Sequence, residues 1–255
     1  MVERVGLTRA RSRCRTSLHR LGFVLKRPKQ RRLKADEAKR AAFVAASATR
    51  RTAAPATGAK HLCVDEAHFY ADVDLRGKGV RKGTPALVDS TSPRSGEKAS
   101  YSSAVGLETG EVDALPLAGT SSAESAVACL QPLRAQYAAP LVVFWDNAPA
   151  HGGDPLRDSL ATPDLRLRLV RLPAYSPDFT ADEHIWAWVR EEVTANTCFG
   201  TADTLRAHVD PFFAGLAART EEVKRRCRTV LQTKADALEA VGTATAQLHN
   251  VPPAA

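Results

Sequence analysis

Leu141-Val142-Val143-Phe144-Trp145, bounded by Pro140 and by the Asp146-Asn147 turn, constrains this chain more than any other stretch. Five apolar residues in succession between turn formers suit a strand buried on both faces, as inner strands of parallel sheets are. Such a strand has no structural need of the acid at its tip, and strand ends in open α/β sheets are where ligands and metal ions sit. A second apolar run, His61-Leu62-Cys63-Val64, also finishes in acids, Asp65-Glu66. Residues 100–107 read as a third strand turned at Thr109-Gly110, with 111–117 extending the meander. Residues 165–172 alternate Leu with Arg and stop at Pro173, which gives the last strand.

Between these strands lie helical patterns. Ser121-Ser122-Ala123-Glu124 is a capping box ahead of an apolar stripe of Ala126, Val127, Leu130, Leu133 and Tyr137, and Pro132 should kink or shorten that helix. Residues 180–195 predict a helix with Ile185, Trp188, Val189 and Val193 on its buried face. Helices over 204–218 and 220–241 follow, while 71–99, rich in Gly, Pro, Ser, Lys and Arg, reads as a β-hairpin with exposed loops. The predicted fold class is α/β, a mixed sheet flanked by helices in the order β-β-β-α-β-(α)-β-α.

Charge divides the chain. Residues 1–60 hold 17 Lys and Arg against 3 acids, a net of +14, whereas 61–255 carry a net of −6. The basic arm has the electrostatics of a phosphate-backbone binder, with a solvated tail as the plain alternative. Within it, 8–21 predicts a helix with Leu18 and Leu21 on an inner face and Gly22 as its stop, followed by a short extended piece and a basic turn. Arg11, Arg13, Arg15, Arg20, Lys26 and Arg27 are the candidate DNA contacts. A second helix near 35–46 leads to a linker over 47–60. The expected organisation is a partial helix-turn-helix region over 1–46, the linker, a catalytic domain over 61–200, C-terminal helices over 201–241 and a flexible tail over 242–255. No apolar run approaches the roughly 20 residues of a membrane helix, and no secretory signal is evident. Five scattered cysteines without a CxxC pair suit reduced thiols in the cytoplasm rather than a disulfide framework or a zinc site.

Three acids carry the chemistry. Asp65 and Asp146 end two strands, and Glu183 lies in the first turn of the helix after the last strand. Carboxylates gathered in one cleft repel unless protonated or neutralised by a cation, and such oxygen-rich sites suit Mg²⁺ or Mn²⁺. Two such ions would support in-line phosphoryl displacement without a Cys or His nucleophile. Each acid also has a structural reading. Asp65 would be a polar strand end, Asp146-Asn147 a turn, and Glu183 the closing residue of a Thr180-Ala181-Asp182-Glu183 capping box, which makes Asp182 the rival third acid. His151 and His184 are candidate proton-handling or phosphate-contacting groups, or surface histidines. Trp186 and Trp188 read as helix core, with base stacking as the lesser alternative, and Lys224-Arg225-Arg226-Cys227-Arg228 as either a phosphate track or a solvated helix face.

Cys63-Val64-Asp65-Glu66-Ala67-His68-Phe69, Trp145-Asp146-Asn147-Ala148-Pro149-Ala150-His151 and the stretch from Leu172-Pro173-Ala174-Tyr175-Ser176-Pro177-Asp178-Phe179 to Asp182-Glu183-His184-Ile185-Trp186 resemble the three signature blocks of DDE transposases. The branch is that of bacterial insertion-sequence transposases related to mariner elements, and the likeness spans about 61–232, with 36 residues between Asp146 and Glu183. The resemblance implies a ribonuclease-H-like core with Asp65, Asp146 and Glu183 as catalytic acids and ligands of two divalent ions. It also implies cleavage of double-stranded DNA at transposon ends and transfer of the freed 3′-hydroxyl into target DNA, with a homodimer on DNA as the expected assembly and the nucleoid as its place of action. The segment from Leu18 to Pro28 resembles the tail of the family's helix-turn-helix region, without its first part. Other departures are Gly79 or Val80 where relatives carry a tryptophan, Thr180 in place of Asn, and Pro132 within a helix. They fit a truncated element, so a catalytically impaired DNA-binding remnant is the alternative reading.

Overall fold

The structure is a computed structural model, and it describes residues 11–24, 34–91, 96–117, 123–148, 154–161, 166–229 and 231–233. The chain divides into two compact units, Met1–Lys34 and Ala35–Ala255.

In the first unit, α1 (Arg11–Arg20) ends at Gly22, whose φ of +80° only glycine adopts readily. Arg13, Arg15 and Arg20 are exposed on it. Leu18 and Leu21, expected on an inner face, are 50% and 71% exposed, because no described element of this unit packs on them. Lys26 and Arg27 lie outside the described residues.

The second unit opens with α2 (Glu37–Thr57), capped by Asp36, which accepts a hydrogen bond from the Lys39 amide at 3.0 Å, and closed by Gly58 in the left-handed region. Residues 47–57, expected as linker, are therefore helical. Alanine is the best helix former, and Val44, Ser47, Ala48 and Ala54 bury one stripe against the body, a packing that overrides the loop-like composition.

Five strands follow: β1 (Lys60–Tyr70), β2 (Lys98–Gly106), β3 (Val112–Leu117), β4 (Leu141–Trp145) and β5 (Leu167–Arg171). Their order across the sheet is β3-β2-β1-β4-β5. The first three pair antiparallel as a meander, and β4 and β5 add parallel to β1, so the sheet is mixed as expected. Gly110 makes the β2–β3 turn at φ +71°, and a Cβ there would run into the Thr220 carbonyl. Between β1 and β2 the expected hairpin is absent: among the described residues of 71–97 the one pairing is an Asp74–Ala195 bridge. Side chains hold this segment instead of a ladder. Asp72 accepts from the Ser90 hydroxyl (2.9 Å) and the Thr91 amide (3.1 Å), and Asn196 from the Arg76 amide (2.9 Å).

Helices cover both faces. On one, α3 (Ala123–Gln136) and α4 (Asp154–Leu160) bury Leu130, Leu133, Tyr137 and Leu156 against Leu62, Val64, Val143 and Trp145. Pro132 lies inside α3 without ending it, and Ser121 and Ser122 lie outside the described residues. On the other face sit α2, α5 (Asp182–Val189), α6 (Ala202–Leu216) and α7 (Thr220–Arg226), packing Ile185, Trp186, Leu205, Val209 and Val223 against Cys63, Ala67, Tyr101 and Phe144. A π-helical turn, Arg190–Thr194, closes the expected 180–195 helix. The helix expected over 220–241 breaks after Arg226, residues 231–233 are helical again, and 230 and 234–255 lie outside the described residues. No described helix is long and apolar enough to cross a membrane, and all five cysteines are free.

Candidate active site

Register and pleat bring two acids together. Val64 of β1 pairs with Trp145 of β4, and Cys63 with Phe144, so one step further stand Asp65 and Asp146. Asp146 ends β4 as expected, whereas Asp65, expected at a strand end, lies mid-strand because β1 runs on to Tyr70 against β2. Side chains alternate across a sheet, so both acids share the face of Cys63 and Phe144, the face on which α5 packs. Asp65 meets that helix directly, accepting a hydrogen bond from the Trp186 indole N–H at 3.1 Å. Asp146 turns the chain out of β4: its Oδ1 accepts from the Ala148 amide at 2.9 Å, and its carbonyl from Arg171 at 3.2 Å.

Glu183 lies exposed in the first turn of α5. The capping box that would tie it back does not form. Ala181 is the N-cap without a side-chain bond, because the Thr180 hydroxyl donates to the Pro177 carbonyl (2.7 Å) and closes the preceding 3₁₀ turn, Pro177–Phe179. Glu183 nevertheless feels the site. Burial, then the charges of Glu66 and Glu183, push the Asp65 carboxyl up to about 7, and the Trp186 hydrogen bond opposes them. Among the described residues no three His, Cys, Asp or Glu side chains close into a preformed cation cage. His184 is exposed, and His151 lies outside the described residues.

Other residues of the site lie at a depth, and make contacts, that sequence reasoning did not give. Asp182 is fully buried. The hydroxyl of Ser103, which pairs with Asp65 across β1 and β2, donates to Asp182 Oδ1, while Oδ2 is buried without a partner. Burial, then the charge of Asp65, push the Asp182 carboxyl well above the ordinary range. The rival third acid thus lies under the site rather than in it. Burial also pushes the Cys63 thiol well up, which leaves it inert. Trp188 is helix core, with its indole N–H on Glu192 and the guanidinium groups of Arg219 and Arg226 each 4.3 Å from its ring.

One clamp sets the entry to α5. Arg40 of α2 donates to the Ser176 hydroxyl (2.6 Å) and to both oxygens of Asp178 (3.2 and 2.8 Å), and lies 4.5 Å over Phe179. Arg40→Ala should lower stability by about 1–2 kcal/mol, since Asp178 is part-exposed and the ion pair is screened. A thermal melt reads this directly; an unchanged melting temperature would make the clamp ornamental.

A mixed five-stranded sheet of this order, with one acid on its central strand, another at the end of the neighbouring parallel strand and helices on both faces, is a ribonuclease-H-like domain. The model for DDE superfamily endonucleases matches residues 60–206, and one for winged helix-turn-helix domains matches 1–47. The chain belongs to the DDE superfamily of endonucleases. Among solved structures it is similar to the Mos1 transposase paired-end complex with the left transposon end. There the TM-score is 0.64 at 18% identity, over 92% of this chain and 72% of that one. The mariner Mos1 paired-end complex with Mg gives 0.64 at 19% identity, over 92% and 71%. The catalytic domain of Mos1 mariner transposase gives 0.52 at 16% identity, over 82% and 98%. These likenesses establish a shared fold with a mariner transposase. No curated protein matches the chain by sequence.

Proposed function

We propose that this protein is a transposase that cuts DNA strands at transposon ends and joins the freed 3′-hydroxyl to target DNA. The observation that carries the reading is the position of Asp65 and Asp146, each one step beyond the Val64–Trp145 pair of two adjacent parallel strands, on the face covered by the helix that bears Glu183. The donor set fits divalent ions: every side chain offered is a carboxylate, and burial, then the charges of Glu66 and Glu183, hold the Asp65 carboxyl up at about 7. Asp65, Asp146 and Glu183 are the ligands in this reading, for two Mg²⁺ or Mn²⁺. The chemistry such ions supply when bound is activation of the attacking water or 3′-hydroxyl and stabilisation of the departing oxygen. The chain's own part is to fix the acids. Trp186 orients Asp65, the turn at Ala148 orients Asp146, and the clamp from Arg40 sets the start of the helix carrying Glu183. Arg11, Arg13, Arg15, Arg20, Lys26 and Arg27 bind the phosphate backbone of the ends, consistent with the winged helix-turn-helix match over 1–47. Synapsis of two ends calls for a homodimer on DNA, acting in the cytoplasm on the nucleoid.

The test is cleavage of a plasmid carrying the element's terminal repeats by the full chain. Strand nicks leaving 3′-hydroxyls at the repeat ends, dependent on Mg²⁺ or Mn²⁺ and stopped by chelation, are expected. Binding to the ends without nicking in either metal would overturn catalysis and leave a DNA-binding remnant. Preferential cleavage of RNA–DNA hybrids would point instead to a host nuclease of the same fold.

A further inference from the structure

A second charged feature lies away from the acids. A cavity of about 410 Å³ opens between α2, the segment after β2 and the end of α7, lined by Arg51, Leu107, Lys224, Arg225, Arg228 and Gln232, with Glu221 beside them. The Leu107 amide donates to the His61 carbonyl, so the cavity adjoins the start of β1, four residues and about 13 Å of extended strand before Asp65.

Its cations outnumber its acids. Arg51 donates through Nε to Glu108 at 3.0 Å, and Glu108 also faces His61 at 3.3 Å. Lys224 pairs with Glu221. Arg225, 77% exposed, reaches Glu222 only at 3.7 Å, beyond hydrogen-bond range. Cations in the last turn of a helix often merely complement its dipole, which would account for Lys224 and Arg225. It does not account for Arg51, which comes from α2, or for Arg228, beyond the end of α7. Arg51 adds a second observation: its Nη1 is buried with no acceptor, a cost that an oxyanion drawing the guanidinium slightly outward would relieve. Gln232 stiffens the wall, donating to the Leu107 carbonyl at 2.6 Å and accepting from the Thr229 amide at 2.7 Å.

We infer that this cavity seats a phosphate of the DNA backbone outside the bond that is cut. Residues 35–255 hold 24 Lys and Arg against 27 Asp and Glu, a net of −3, so a duplex lying along this unit is attracted chiefly where cations cluster. A duplex covers the separation from Asp65 along β1 in about four base pairs, so one DNA is long enough to span both places.

The inference is tested without reference to nicking, by fluorescence anisotropy of the full chain on duplex DNA that lacks transposon ends, across a salt series. Replacing Lys224, Arg225 and Arg228 together by Ala should weaken binding several-fold at physiological salt. It should also make the slope of log K against log salt shallower by about 0.9, the contribution of one phosphate no longer neutralised. Arg225→Gln, at a site too exposed to threaten folding, should give a smaller shift in the same direction. Slopes and affinities equal to those of the unaltered chain would overturn the inference. So would a rise in melting temperature with inorganic phosphate that the triple variant loses while its DNA slope stays unchanged, because the cavity would then take free phosphate instead.

Discussion

Asp146→Asn abolishes Mg²⁺-dependent nicking and leaves the fold in place. Asparagine keeps an Oδ1 acceptor for the Ala148 amide, so the turn that leads out of β4 survives. It is nearly isosteric, and the apolar strand beneath it is untouched, with Val143, Phe144 and Trp145 all fully buried. What is lost is the negative charge, and a neutral amide is a poor ligand for a small hard cation. Partners one step removed from a metal cost roughly 10–100-fold when removed, so loss of a ligand itself should exceed that range. Rates of strand nicking for the variant and the unaltered chain, paired with thermal melts of both, measure the effect. Metal-dependent nicking that persists within tenfold would sink the assignment of Asp146, and with it the two-strand site.

The sheet and two of its acids were legible because burial on both faces leaves an unmistakable run of apolar residues, and an acid at the end of such a run stands out. The depth of the site was less legible, although part of the signal existed. Asp182, Ile185, Trp186 and Val189 recur at helical spacing, and all four are buried, so the stripe itself marks Asp182 as an inward-facing acid. That Trp186 spends its N–H on Asp65, or that Ser103 reaches Asp182, depends on pairing between strands and a helix more than 70 residues apart, and no local pattern encodes it. The helix over 47–57 was missed for the opposite reason. Its Ala-rich composition looked like a linker, and only the burial of Ala48 and Ala54 against the body reveals the face that keeps it folded. The expected hairpin between β1 and β2 failed because a buried aspartate, Asp72, gathers that segment with side-chain bonds, which strand propensity cannot foresee.

Asp65 makes the metal-free protein progressively less stable as pH rises from about 4 to 7, and Asp65→Asn removes that loss. Its carboxyl titrates near 3.8 in the unfolded chain but is pushed up to about 7 in the fold, by burial first and then by the charges of Glu66 and Glu183. The folded state therefore holds this proton more tightly than the unfolded state. The stabilisation is complete below the unfolded value and is lost as pH climbs to the folded one, at about 1.4 kcal/mol per unit, on the order of 4 kcal/mol by pH 7 and above. Buried Asp182 acts in the same direction, whereas His68, lowered by its own burial and by Lys98, acts in the opposite one. Glu108 and Glu111 are held below the usual range and exert their effect under about pH 4.5. Comparing the variant with the unaltered chain cancels all of these. In chelator, Asp65→Asn should melt close to the unaltered chain at pH 4 and well above it at pH 8. Excess Mg²⁺ should close the gap at pH 8 by stabilising only the chain that retains its carboxylate. Melting curves that run parallel from pH 4 to pH 8 would mean that Asp65 is adequately solvated or paired in the fold, and a site short of positive charge could not then be upheld.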